Sequence, residues 1–289
     1  MCAGAPDDNN ANDRPVWIKK VIDYVISRQN DDGGYTFCQG TESNLQDTYY
    51  GLAILDLLHH PFPNVERTIY WLRNFEVDNI YSCYYVAKAL ELCGKKLDEH
   101  LINLIISFID AQDMGENLST PLTDAYLGTT SEFMTTFIIS ELSKILKLEP
   151  NGRRTASWLL SFLNRDGGFG ANRCSNVVST YHAVASLNNL RYNVKNLRET
   201  IAYVRSCEKP SGGFAIVPQA PTPYMEYTYC GMMSLDLFGK KCRFPTRVAE
   251  FVFKCQNLSG GFGRSDFSIS TFENTFQAIS ILKKLGKIQ

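Results

Sequence analysis

The stretch Asn257-Leu258-Ser259-Gly260-Gly261-Phe262-Gly263, followed by Glu273-Asn274-Thr275-Phe276-Gln277-Ala278-Ile279, decides the fold of this chain. It indicates a glycine turn, a short irregular link, and then an apolar helix that opens on a threonine and an aromatic residue. An internal repeat with a period of about fifty residues indicates stacked supersecondary units. The same pattern occurs three more times, as Asp31-Asp32-Gly33-Gly34-Tyr35 before Asp47-Thr48-Tyr49, Asp166-Gly167-Gly168-Phe169 before Ser179-Thr180-Tyr181, and Ser211-Gly212-Gly213-Phe214 before Tyr227-Thr228-Tyr229.

Each repeat is predicted to be a pair of helices, one amphipathic and one apolar on almost every side. The first pair is predicted at 15–29 and 50–59, and the last at 246–256 and 273–285. Six such pairs can be counted, and no alternation of helices with strands is visible. An open array would need polar capping repeats at its ends, but the first and last pairs are no more polar than the others. The sequence therefore predicts an all-α fold, a closed six-hairpin α/α toroid, with the Gly-Gly links and the N-termini of the inner helices on one rim.

The composition limits the function classes. The chain has 289 residues and a net charge of -1, so it offers no basic field and nucleic acid is not expected as a partner. No apolar run approaches the roughly 20 residues of a transmembrane segment. Residues 1–14 are polar and are expected to form a disordered tail, with a single domain over 15–289. Nine cysteines without a CxxC pair favour buried free thiols and a cytoplasmic location.

A family resemblance is carried by the fourth and sixth repeats. The fourth combines Trp158-Leu159 with Asp166-Gly167-Gly168-Phe169-Gly170 and Ser179-Thr180-Tyr181, and the sixth combines Cys255-Gln256 with the stretch quoted first. These residues resemble the repeats of the protein prenyltransferase β subunits and the related terpenoid cyclases, over nearly the whole chain. The resemblance implies a six-fold α/α toroid with an apolar central cavity for an isoprenoid, a zinc ion, and a helical α subunit or a peptide as partner.

The sequence departs from the family at the positions that carry its chemistry. The β subunits take zinc ligands from an Asp-x-Cys-Tyr string at the fifth inner helix and from a histidine at the sixth, where this chain has Glu226, Thr228 and Asn274. Zinc is bound by thiolate, imidazole or carboxylate groups, so these positions form a poor site and the cofactor stays open. The basic positions that clamp a diphosphate hold Ala220, Pro223 and Val178. The Asp-x-Asp-Asp acid of the terpenoid cyclases is absent from the sequence.

Glu226 and Glu273 are the candidate catalytic residues. Each precedes the helix-opening threonine by two residues, on inner helices that are neighbours in a closed ring. Two carboxylates that converge at the mouth of a cavity can share a proton or bind a cation. The alternative is a structural role at the helix start, where the helix dipole favours a carboxylate, and Asp47 and Glu132 fit that role equally well.

The aromatic residues of the inner helices are the candidate substrate-binding residues. Aromatic rings suit an isoprenoid or a carbocation if they face a cavity, and they are ordinary packing residues if they face the core. The threonines before them are expected to cap helices or join them by hydrogen bonds, and His182 is expected to be a core residue. The candidate rings are Tyr49, Tyr84, Phe137, Tyr181, Tyr229 and Phe276.

Three functions remain open from the sequence. The first is an isoprenoid-handling transferase of the β-subunit type, which moves a prenyl group from a prenyl diphosphate. The second is a non-catalytic toroid that binds a hydrophobic ligand or a peptide. The third is a small terpenoid-cyclase-like enzyme that uses Glu226 or Glu273 as its acid. Whether the protein is an enzyme is therefore uncertain at this point.

Overall fold

The computed structural model describes residues 14–114, 132–148 and 152–288, and these ranges contain twelve α-helices and no named strand. Residues 1–13 of the predicted disordered tail and the polar link that carries Gly115, Pro121 and Gly128 lie outside the described residues. The single-domain assignment stays a prediction. The helices are α1 (Val16–Ile26), α2 (Leu45–Leu57), α3 (Val65–Asn74), α4 (Ile80–Leu92), α5 (Glu99–Met114), α6 (Glu132–Ile145), α7 (Gly152–Ser161), α8 (Val177–Asn189), α9 (Arg198–Ser206), α10 (Met225–Leu237), α11 (Pro245–Lys254) and α12 (Phe272–Lys284).

The helices form a closed ring of two layers. The even-numbered helices are the inner layer: each packs against the next, and α12 packs against α2. The odd-numbered helices lie outside and bury a single stripe, such as Val248, Ala249 and Val252 of α11. The inner helix α2 buries most of its length, because its neighbours in the ring and α1 cover it on several sides. The all-α toroid predicted from the repeats is confirmed.

The repeated threonine joins each Gly-Gly link to its inner helix. In the sixth hairpin the Thr275 hydroxyl accepts the Phe262 N–H at 2.9 Å and donates to the Thr271 carbonyl at 2.6 Å. Both Phe262 and Thr275 are fully buried, so the hydroxyl satisfies a backbone N–H that has no access to water. Thr48, Thr180 and Thr228 make the same pair of bonds in the other three repeats.

The Gly-Gly links also join neighbouring hairpins. Gly260 has a φ of +98°, and a Cβ on it would lie 2.1 Å from the carbonyl oxygen of Lys20 on α1. The sixth link therefore packs on the first outer helix without room for a side chain, and Gln256 Nε2 donates to the Trp17 carbonyl at 3.2 Å beside it. Gly212 packs in the same way on Arg247 of α11. The same contact, a link glycine against the backbone of the next outer helix, joins the fifth hairpin to the sixth and the sixth hairpin to the first.

The inner helix α2 begins at Leu45, five residues before the predicted start at 50, because a polar cap precedes it, whereas α12 begins at Phe272, one residue before its predicted start at 273. Asn44 caps α2 by accepting the Asp47 N–H at 2.8 Å, and Asn176 caps α8 in the same way. Within the described part of the chain, no helix is both long enough and apolar enough to cross a bilayer.

Candidate functional site in the centre of the ring

A cavity of about 820 Å³ lies inside the ring, at the N-terminal ends of the inner helices. All six inner-helix aromatics that the sequence singled out line it, and so do Glu226 and Glu273. Its volume falls within the range of about 300–1,000 Å³ that is typical of small-molecule sites. The structure therefore brings the predicted residues together in one place, while the roles assigned to them stay predictions.

The six aromatics form a continuous belt around the cavity. Starting at α6, the ring centroids of Phe137 and Tyr181 are 5.9 Å apart, and those of Tyr181 and Tyr229 are 5.8 Å apart. The belt continues from Tyr229 to Phe276 at 5.9 Å and from Phe276 to Tyr49 at 6.2 Å. It ends with Tyr84 on α4, 6.0 Å from Tyr49. Each inner helix contributes one ring, because the residue after the buried anchor of each helix turns toward the centre.

The belt has a second row that the sequence analysis missed. Tyr50 and Tyr85 also line the cavity, and their ring centroids are 6.1 Å apart. Tyr50 is also 5.2 Å from Phe276. The double tyrosines Tyr49-Tyr50 and Tyr84-Tyr85 were the available signal, since consecutive residues at a helix turn can both reach a central cavity. Burial raises the pKa of Tyr50 and Tyr85, so both hydroxyls stay neutral hydrogen-bonding groups.

The mouth of the cavity is polar on one side and apolar on the other. The residue two positions before each threonine forms a rim layer of five side chains. On the neighbouring helices α10, α12 and α2 these are Glu226, Glu273 and Gln46, whereas α6 and α8 contribute Met134 and Val178. A bound molecule therefore meets polar groups at α10, α12 and α2 and hydrocarbon on the opposite side.

Glu226 is held by an arginine that sequence reasoning did not identify. Arg264 Nη2 lies 2.6 Å from Glu226 Oε1, and Arg264 Nε donates to Glu226 Oε2 at 3.1 Å, so the ion pair is bidentate. The guanidinium also donates to the Tyr227 hydroxyl at 3.1 Å and stacks over the Tyr224 ring at 4.1 Å. Arg264 follows directly on the Gly-Gly-Phe-Gly turn, and no spacing rule in the sequence marks it.

Glu273 lies deeper and has no cation beside it among the described contacts. It accepts only two long hydrogen bonds, from Gln277 Nε2 at 3.3 Å and from Gln46 Nε2 at 3.4 Å. Burial raises the pKa of Glu273, and the nearby charges of Glu226 and Asp47 raise it further. The Glu273 carboxyl therefore keeps its proton to a higher pH than an exposed glutamate does.

Asp47 is the third carboxylate at the mouth, and its position is fixed by its own link. Its Oδ2 accepts the Phe37 N–H at 3.0 Å and the Asn44 side-chain amide at 2.7 Å. Burial raises the pKa of Asp47, and these two hydrogen bonds oppose the increase. Asp47 thus lies at the start of α2, where a structural role was predicted, and it also lines the cavity.

His182 is buried, as predicted for a core residue, but it also lines the cavity. Its ring stacks on Phe137 with centroids 5.5 Å apart, and its Nδ1 has no hydrogen-bond partner among the described residues. Burial lowers the pKa of His182 to about 4, so the ring is neutral at pH 7. His182 therefore presents an uncharged polar group within an aromatic wall.

The three positions that match the family's zinc ligands do not fit a zinc ion. Thr228 is fully buried, does not line the cavity, and uses its hydroxyl for the Phe214 N–H and the Tyr224 carbonyl. Asn274 lines the cavity, but its amide donates to Gln277. Within the described ranges, no group of three His, Cys, Asp or Glu side chains is arranged to hold a metal ion. Of these three residues, only Glu226 carries a charged group that could bind zinc.

The ring and its central cavity define an α/α toroid of the prenyltransferase type. The family model described as the prenyltransferase alpha-alpha toroid domain matches residues 7–79 and 114–289, and the chain belongs to this family. A relative in sequence is the protein farnesyltransferase subunit beta of Pisum sativum, 25% identical over 222 residues that cover 71% of this chain and 51% of that protein. The chain thus spans about half the length of this curated relative.

Two solved structures share the fold. Protein geranylgeranyltransferase-I from Candida albicans, complexed with GGPP, matches with a TM-score of 0.73 and 16% identity, over 95% of this chain and 92% of that one. The type II terpene cyclase MstE from Scytonema matches with a TM-score of 0.61 and 11% identity, over 94% of this chain and 98% of that one. The resemblance to both branches inferred from the repeats is confirmed.

Proposed function

We propose that this protein binds an isoprenoid chain in the cavity at the centre of the ring. The observation that carries the proposal is the aromatic belt, which runs through all six inner helices around a volume of about 820 Å³. Branched polyenes bury apolar surface against such rings, and the π faces also attract cationic carbon centres. The apolar side of the rim, Met134 and Val178, gives the chain an entry that needs no dehydration of charged groups.

The solved relatives are consistent with this ligand class. The Candida albicans transferase is complexed with GGPP, and a variant of the Scytonema cyclase is in complex with geranylgeranyl dihydroxybenzoate. Both ligands share the geranylgeranyl chain and differ in the head group. We therefore take a geranylgeranyl chain as the first ligand to test.

Prenyl transfer from a diphosphate is the activity that the family resemblance implies. In that reaction zinc would activate the acceptor and basic side chains would hold the diphosphate. Because Glu226, Thr228 and Asn274 do not form a zinc site here, we assign no step of transfer to this cavity. A helical α subunit or a peptide partner, and a cytoplasmic location, belong to the same proposal and need direct measurement.

A second candidate function is acid catalysis by Glu273, in the manner of a terpenoid cyclase. Its raised pKa and its place at the cavity rim favour it over Glu226, which is ion-paired with Arg264. The Glu273 carboxyl would give its proton to one carbon of an alkene, which forms a C–H bond and leaves a cation on the other carbon. The belt would stabilise this cation, and loss of a proton from a neighbouring carbon to the Glu273 carboxylate would complete an isomerisation.

Native mass spectrometry of protein purified without chelator tests the first function. We expect a mass addition that corresponds to an isoprenoid, or uptake of added geranylgeraniol. Val178→Trp should fill the apolar side of the mouth and abolish this addition. Val16→Trp is the matched control, since Val16 is 70% exposed on the outside of the ring.

Failure of the wild-type protein to take up either geranylgeraniol or geranylgeranyl diphosphate would refute the binding function. Equal uptake by Val178→Trp would place the ligand outside the cavity. For the second function, Glu273→Gln should abolish turnover of a polyene substrate while binding persists. Unchanged turnover in that variant would remove Glu273 as the acid.

A further inference from the structure

The charges around the cavity mouth identify the kind of head group that the site accepts. Three carboxylates line the cavity, Asp47, Glu226 and Glu273. Arg264 is the one cationic side chain among the described lining residues, because His182 is neutral. The residues outside the described ranges contain no lysine, arginine or histidine, so those segments have no cation to add.

The charge of Arg264 is already matched. Its guanidinium forms the bidentate pair with Glu226, donates to the Tyr227 hydroxyl and lies over the Tyr224 ring. A phosphate would have to displace the Glu226 carboxylate from this geometry, and the displaced carboxylate would stay at the rim. The pair is partly exposed, with 46% of the Arg264 side chain and 27% of the Glu226 side chain accessible, so the displaced carboxylate would keep some water but would repel the phosphate beside it.

The carboxylates on the neighbouring helices α12 and α2 reinforce this preference. Asp47 and Glu273 carry no ion pair among the described contacts, and Glu273 is held only by the two glutamine amides. A diphosphate here would repel each ionised carboxylate across a partly buried site, where Coulomb interactions are stronger than in water. The positions that carry basic residues in the family, Ala220, Pro223 and Val178, supply no compensating charge.

The same groups suit a head that donates hydrogen bonds. Carboxylate oxygens of Asp47 and Glu273 can accept from a hydroxyl or an ammonium group, and the Gln46 amide on the same rim donates to Glu273. A prenyl alcohol or amine would therefore place its head at α10, α12 and α2 and its chain against the belt.

We infer that the isoprenoid bound in this cavity has a head group without negative charge, so that the site takes a prenyl alcohol or amine in preference to a prenyl diphosphate. This inference rests on the proposed isoprenoid binding. It separates the protein from prenyl-diphosphate enzymes by the electrostatics of its own rim.

The test is equilibrium binding of tritiated geranylgeraniol, delivered from cyclodextrin, with unlabelled competitors. Geranylgeranylamine should compete at least as well as geranylgeraniol itself, and geranylgeranyl diphosphate should compete at least about tenfold less well. Glu226→Gln removes one negative charge and releases Arg264 for bidentate binding to phosphate. It should improve competition by the diphosphate, relative to competition by the alcohol, by about tenfold.

Two further variants sharpen the result. Glu250→Gln is the matched control, because Glu250 pairs with Arg247 at 2.9 Å on the outer helix α11, far from the lining residues. It should change neither affinity. Glu273→Gln should narrow the difference between alcohol and diphosphate without relying on Arg264, and thermal denaturation checks that each variant is folded.

The outcomes separate the two proposals. A wild-type protein that binds geranylgeranyl diphosphate as tightly as the alcohol overturns the head-group inference and leaves isoprenoid binding intact. An unchanged ratio of affinities in both Glu226→Gln and Glu273→Gln also overturns it. Absence of binding by all three compounds overturns isoprenoid binding and the head-group inference together.

Discussion

Replacement of Gly260 by alanine tests whether the sixth hairpin truly closes on the first. The added methyl group would lie 2.1 Å from the Lys20 carbonyl oxygen, in a junction where backbone touches backbone. Neither side can move without shifting α1 or the link that ends at Thr275. Gly40 provides the control, since its φ of +85° is equally left-handed but nothing lies within 4 Å of the added methyl group.

The two substitutions separate conformational strain from packing. A left-handed conformation costs a non-glycine residue about 1–2 kcal/mol, and reduced freedom of the unfolded chain offsets about 0.4–1 kcal/mol of this. Gly40→Ala should therefore destabilise the protein by about 1 kcal/mol. Gly260→Ala adds an overpacking cost of about 1–3 kcal/mol, for a total of about 2–4 kcal/mol.

Thermal denaturation followed by circular dichroism measures the difference. At about 2 °C per kcal/mol for a protein of this size, Gly260→Ala should lower Tm by about 4–8 °C and Gly40→Ala by about 2 °C. Gly212→Ala should resemble Gly260→Ala, because its added methyl group would lie 2.2 Å from the Arg247 carbonyl at an internal junction. If Gly260→Ala behaves like Gly40→Ala while Gly212→Ala is costly, the ring is not closed between its ends.

Three further predictions concern buried polar groups. Thr275→Val should lower the free energy of unfolding by about 1–3 kcal/mol, because the buried Phe262 N–H loses its acceptor. Thr275→Ser keeps the hydroxyl and should lose much less stability. Equal Tm values for the wild type and both variants would contradict this prediction. Burial and nearby carboxylates raise the pKa of Glu273, so its stabilising contribution is complete below its ordinary pKa and is lost as pH rises through the raised value. Glu273→Gln should thus raise Tm at pH 8 and leave it unchanged at pH 4, and a gain of the same size at both values would count against the shift. Arg243→Ala should lower the free energy of unfolding in urea by about 1–3 kcal/mol, because Glu208, which is 3% exposed, keeps its two backbone N–H donors but loses its cation. No change at pH 7 would show that the half-exposed Arg243 does not stabilise the buried Glu208 carboxylate.

The ring was predictable from the sequence because its repeats are joined by the same few atoms each time. A threonine hydroxyl that accepts a link N–H requires a threonine at nearly constant distance from the glycines, and that distance is visible in the chain. The positions of the belt aromatics were predictable for the same reason, since each ring follows its anchor, but the sequence left open whether the rings face a cavity or the core. The start of α2 was predicted less accurately, because its cap Asn44 precedes the apolar pattern.

The electrostatics of the mouth could not be predicted in the same way. Glu226 and Glu273 were identifiable by their shared position, but the pairing of Glu226 with Arg264 depends on the path of an irregular link. The sequence gives the position of Thr228 on its helix, but it does not show that the hydroxyl binds the Phe214 N–H and so is not available to a metal ion. Repetition predicts positions, whereas the partners of each side chain depend on segments that do not repeat.

Closure of the ring also determines when folding can be completed during synthesis. Gln256 binds the Trp17 carbonyl across 239 positions of the chain, and Lys283 binds the Leu57 carbonyl across 226. A nascent chain on the ribosome therefore carries an uncovered apolar seam along α2 until α12 has emerged. Such long-range pairing is slow to form and leaves intermediates exposed to aggregation. The sixth hairpin thus completes the ring, and the need for chaperones would be greatest just before this hairpin packs.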